Sequence, residues 1–97
     1  MMYAKIHKDK ESTVVAVCDE DLIGKTLTEG DAELVVSEHF FKGKLLEKEA
    51  VIRLLQAAEN VNLIGEEAVA CGCDAGLIDK ETIVRIGGVP HAQFYNL

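Results

Sequence analysis

The chain has 97 residues, enough for one domain over positions 1–97 that buries about two-thirds of its unfolded surface. Its 48% hydrophobic and 28% charged content is that of a globular protein, and no run approaches the ~18 apolar residues of a membrane span. Ten basic against seventeen acidic side chains give a net charge of −7, which opposes direct nucleic-acid binding and adsorption to anionic lipid.

The first residues, MMYAKIHKDKE, carry no signal-peptide core, so a cytoplasmic protein is expected. Three cysteines, an odd number in such a chain, read as reduced thiols. Tyr3, Ala4 and Ile6, the polar tract KDKES and the β-branched run TVVAV at 13–17 predict an opening hairpin. In DEDLIGKTLTEGD, residues 19–31, Asp19 or Asp21 is placed to cap a short helical turn. Val35 and Val36 mark a strand in AELVVSEHFF, and Gly43 ends that segment.

Val51, Leu54, Leu55 and Ala58 stand at i, i+3, i+4 and i+7 and predict a helix over 46–59. A second helix is expected over 63–75, capped by Asn62, with Ile64, Ala68, Cys71 and Ala75 as its buried stripe. Gly65 and Gly72 inside it each cost ~1 kcal/mol against alanine and imply a close contact. TIVRI at 82–86 and HAQFYN at 91–96 read as closing strands around GGVP. The fold class that follows is α+β: a small mixed or antiparallel sheet with two helices packed on one face.

Familiar chemistries fail on spacing. Gly24-Lys25-Thr26 resembles the end of a phosphate loop, but Asp19 occupies the position where that loop needs its first glycine. Cys71 and Cys73, two apart on a helix, point ~200° away from each other, so neither a metal site nor a disulfide is expected. The acids after Cys18 oppose a thiolate there, and no GxSxG or HExxH occurs. No cofactor is expected. Lys5, His7 and Lys8, and Lys42 and Lys44, are two small basic clusters read as solvated surface.

The stretch RIGGVPHAQFY, residues 85–95, holds more than a reversal requires. Gly87 and Gly88 permit positive φ, and Pro90 fixes its own φ and extends Val89. If Ile86 pairs with Ala92 and Val84 with Phe94, then Arg85, His91, Gln93 and Tyr95 gather on one face. Arg85, Gly87, Gly88, His91 and Gln93 are therefore the candidate binding residues, with an ordinary solvated hairpin face as the competing reading.

RIGGVPHAQ, with NLIGEEAVACGCDAGLIDKETIV and DLIGKTLTEGDAELVVSEHFFKG upstream, resembles an archaeal family of small conserved proteins known as a domain of unknown function, family four-two-four, over about residues 3 to 93. The resemblance implies an archaeal, cytosolic, single-domain protein of the translation apparatus and brings no activity with it. The reading is a non-catalytic binding module that serves RNA or translation machinery through a protein partner. The alternative is a small anionic-ligand protein or enzyme in which Arg85 and the glycine amides hold the anion and His91 moves a proton.

Overall fold

The computed structural model describes residues 1–96. Strands β1 (Met2–Lys8) and β2 (Thr13–Asp19) form the expected hairpin, and a 3-10 turn follows at Glu20–Leu22. A short ribbon, β3 (Thr26–Glu29) and β4 (Ala32–Val35), leads to α1 (Glu38–Phe41), whose first turn is capped by the Ser37 hydroxyl accepting from the Phe40 amide at 3.0 Å. Then come β5 (Lys44–Leu46), α2 (Lys48–Gln56), β6 (Asn60–Ile64), α3 (Glu66–Asp74), a 3-10 turn at Lys80–Thr82, β7 (Val84–Ile86) and β8 (Val89–Tyr95).

The main sheet runs β5-β1-β2-β6-β8-β7, and β3-β4 is a separate ribbon. Among the described residues the one parallel pairing in the main sheet joins β2 to β6, with Val17 opposite Leu63, and the other pairs are antiparallel. This is the mixed α+β architecture that the periodicities predict.

Alternation divides the central strands between two cores. Val15, Val17, Val61, Leu63 and Ala92 face Val51 and Leu55 of α2 and Ala68 and Cys71 of α3. Ala16, Cys18 and Ile64 point the other way, into a smaller core with Leu22, Val36 and Phe41. A strand buried on both sides loses its polar alternation, which is why VVAVC at 14–18 is an unbroken apolar run.

Both helices are shorter than expected. The periodic stretch over 46–59 is helical only across α2, because Leu46 closes β5 and Asn60 opens β6. The second helix starts at Glu66, not at 63: residues 60–64 are a central strand held between β2 and β8, so Asn62 is a strand residue and not a cap. Ile64 accordingly leaves the expected helical stripe for the opposite core.

Gly65 marks the switch from strand to helix, with φ of 115°. A Cβ there would meet the Asp19 carboxylate, 2.5 Å from Oδ1. That carboxylate caps α3 instead of its own turn, accepting from the amides of Glu67 at 3.2 Å and Ala68 at 2.8 Å. Burial pushes the Asp19 carboxyl above its ordinary range, against the pull of the two amides. Among the described residues no helix is long and apolar enough to cross a membrane.

Candidate functional site

Gly87 and Gly88, with φ of 59° and 81°, form a two-residue turn that joins β7 to β8 directly. The register is Ile86 opposite Val89, Arg85 opposite Pro90 and Val84 opposite His91. The pairing expected from the sequence, Ile86 with Ala92, assumed a wider loop. Two successive residues of positive φ match the strand twist and close the hairpin at once, and this moves every partner.

The shift has a chemical consequence, because cross-strand partners share a face. Arg85 shares its face with Pro90, on the side of α3, where Nη1 meets Glu66 Oε1 at 2.9 Å and donates to the Gly88 carbonyl at 2.9 Å. His91 and Gln93 lie on the other face of β8. The expected single cluster of Arg85, His91, Gln93 and Tyr95 is thus divided by the sheet.

On the second face β6 and β8 set Asn62 opposite Gln93 and Asn60 opposite Tyr95. His91 Nε2 bonds Asn62 Oδ1 at 3.1 Å. Burial pulls its imidazole below the ordinary 6.5, so it is neutral at pH 7. Asn60 is tied into the sheet end, donating from Nδ2 to the Thr13 carbonyl at 3.0 Å and accepting from the Asn96 amide at 3.2 Å. Gln93 and Tyr95 are exposed. The result is a strip of five hydrogen-bonding side chains, Asn60, Asn62, His91, Gln93 and Tyr95, without a carboxylate, in a protein of net charge −7.

The turn itself is anchored: the Gly87 amide donates to Glu29 Oε1 of the ribbon at 3.1 Å. The thiols are apart from this strip. Cys18 and Cys71 are buried in different cores and Cys73 is half-buried. Burial first, then Asp19 and Asp21, push the Cys18 thiol up to about 12. Among the described residues no group of three or more His, Cys, Asp or Glu side chains is placed to hold a metal ion.

One feature escaped the sequence reading. A groove of about 650 Å³ lies between β1 and α2 and brings Lys44, a member of one basic cluster, together with Arg53. The two charges were legible in the sequence, but their meeting depends on β5 pairing with β1, which a three-residue strand does not announce.

Among curated proteins, none matches the sequence. The crystal structure of an uncharacterised conserved protein from Methanopyrus kandleri is similar, with 35% sequence identity and a TM-score of 0.83, covering 99% of this chain and 91% of that one. A family model described as "Protein of unknown function (DUF424)" matches residues 6–97. With nearly the whole chain inside that model and an archaeal relative of the same fold, the protein belongs to this family.

Proposed function

We propose that the protein is a non-catalytic binding module of the archaeal cytosol that docks a protein partner, one belonging to RNA or translation machinery, on the strip formed by Asn62, His91, Gln93 and Tyr95. The observation that carries the reading is the uncharged, hydrogen-bonding character of this strip on central strands β6 and β8. An interface core favours uncharged polar and aromatic side chains over carboxylates, and a half-exposed tyrosine such as Tyr95, at 52%, is a typical anchor. Central strands hold the strip rigidly, so little ordering entropy opposes docking.

The alternative, an anion held by Arg85 and protonated by His91, needs both groups at one ligand. They leave opposite faces of the sheet, and the hydrogen-bond partner of His91 is an amide, which exchanges no proton at neutral pH.

The test is capture from archaeal lysate with the wild type and with a Gln93→Ala/Tyr95→Ala variant, each with and without nuclease. A protein retained by the wild type, lost by the variant and insensitive to nuclease is the expected result. A partner held equally by both proteins places the contact elsewhere, and one released by nuclease makes it RNA.

A further inference from the structure

The groove between β1 and α2 differs in character from the sheet strip. Its floor and wall are apolar: Ile6 on β1, 47% exposed, faces Ala50 and Leu54, which stand one turn apart on α2. The charged side chains that face it, Lys44 and Arg53, are both basic, although acids outnumber bases seventeen to ten in the chain. Lys5, between Ala4 and Ile6, alternates to the opposite face, where its Nζ donates to the His39 carbonyl at 2.6 Å. Among the described residues neither Lys44 nor Arg53 belongs to an ion pair.

The groove also borders an open strand edge. β1 pairs with β2 along its full length, from Met2 to Lys8, whereas β5 covers the opposite edge of β1 only from Met2 to Ala4. Gly43 crosses that edge so tightly that a Cβ there would strike the Ala4 carbonyl and come within 2.9 Å of Lys5 Cα. The Ala4 carbonyl therefore points toward the β5 side. Backbone groups two residues on point the same way, so the Ile6 N–H and C=O face this edge beyond the end of β5. Native sheets usually pair, cover or charge such an edge.

Apolar floor, unpaired cations and a free strand edge coincide in one place. We propose that this groove binds an extended acidic peptide segment of a partner protein, which adds a strand beside Ile6 to Lys8, sets an apolar side chain against Ile6 and Leu54, and places a carboxylate between Lys44 and Arg53. Strand addition supplies main-chain hydrogen bonds, and the alternation of the added strand sends every second side chain to the groove. Charge complementarity sets the sign of the partner and its rate of encounter. At about 650 Å³ the groove is in the range of sites that take a small ligand, room for several side chains of a short peptide segment.

The probe is a fluorescein-labelled peptide of the repeat Glu-Thr-Ile-Thr, which sends glutamate and isoleucine to the same face, tested by fluorescence polarisation beside a copy with lysine for every glutamate and a copy N-methylated at every residue. Saturable binding of the acidic peptide is expected, with amide NMR shifts confined to residues 5–8 and 44–57. Binding should weaken about tenfold in Lys44→Glu/Arg53→Glu, whose changes are on exposed side chains and leave the fold intact. The N-methylated copy should bind as weakly, since it cannot add as a strand.

No binding of the acidic peptide, equal affinity for the lysine peptide, or equal affinity of the N-methylated copy would overturn the proposal. Displacement of the peptide by decanoate with identical shifts, at lower concentration than the peptide itself requires, would assign the groove to a small amphiphile. Shifts at residues 5–8 that grow with protein concentration alone would assign the edge to a second copy of the chain.

Discussion

Gly87 and Gly88 adopt similar backbones in different surroundings, which separates conformational from packing effects at two adjacent positions. A Cβ at Gly87 would lie 2.9 Å from the Thr28 carbonyl oxygen, whereas one at Gly88 would meet nothing within 4 Å. Asparagine tolerates left-handed φ, so Gly88→Asn should change stability by less than about 0.5 kcal/mol, while Gly87→Asn should cost about 1–3 kcal/mol. Equal losses in urea unfolding would show that the ribbon yields freely. His91 allows a second measurement. The unfolded chain takes up a proton near pH 6.5, and burial delays this in the folded state. Between the two values the unfolded state holds more protons, so the His91 contribution to stability is complete above about 6.5 and is lost as the pH falls through that window. His91→Gln should lack this loss, with His7 and His39 cancelling in the comparison. Parallel stability curves for the two proteins between about pH 7.5 and pH 5 would contradict it. Gln93 is exposed, and Gln93→Ala should leave the melting temperature nearly unchanged.

At the scale of the element, α3 shows tertiary packing overriding helix propensity. Gly72 stands in its interior, where alanine would ordinarily add ~1 kcal/mol of helix stability. The structure leaves no room: a Cβ would strike Leu63 Cδ1 and lie 2.7 Å from Ile78 Cγ1, so the helix backbone rests directly on β6 and on the loop that follows. Gly72→Ala should therefore destabilise the protein by about 1–3 kcal/mol despite the gain in propensity. Thermal unfolding measures this, and a stabilised variant would mean that Leu63 and Ile78 repack without strain. The same helix begins under the Asp19 carboxylate, supplied by β2, so α3 is fastened at one end by a hydrogen-bonded cap and in its middle by contact.

For the whole molecule the question is whether the two cores open together. They meet along β2, which sends Val15 and Val17 to one and Ala16 and Cys18 to the other. A strand shared by both cores couples them, and a single unfolding transition is expected. The thiols report each side separately, with Cys71 in the larger core and Cys18 in the smaller. In native protein near neutral pH only half-buried Cys73 should react with an aromatic disulfide reagent. Cys18, its thiol pushed up to about 12, and Cys71 should become reactive at the same urea concentration. Labelling of Cys18 well below the transition of Cys71 would show that the ribbon and α1 detach on their own.

Local pattern was sufficient for the opening hairpin, the apolar face of α2, the turn at Gly87 and Gly88 and the mixed α+β class, because each depends on residues near one another in the chain. Pattern failed where a residue takes its role from a distant partner. Asn62 and Ile64 look helical beside the apolar residues that follow, yet a place between β2 and β8 makes them strand. Asp19 looks like a cap for its own turn and caps a helix 48 residues away. The division of Arg85 from His91 followed from one register, and a shift of strand partners leaves no trace in composition. The basic groove was likewise decided in three dimensions: Lys44 and Arg53 come from two elements, and only the pairing of β5 with β1 under α2 brings their charges to one place.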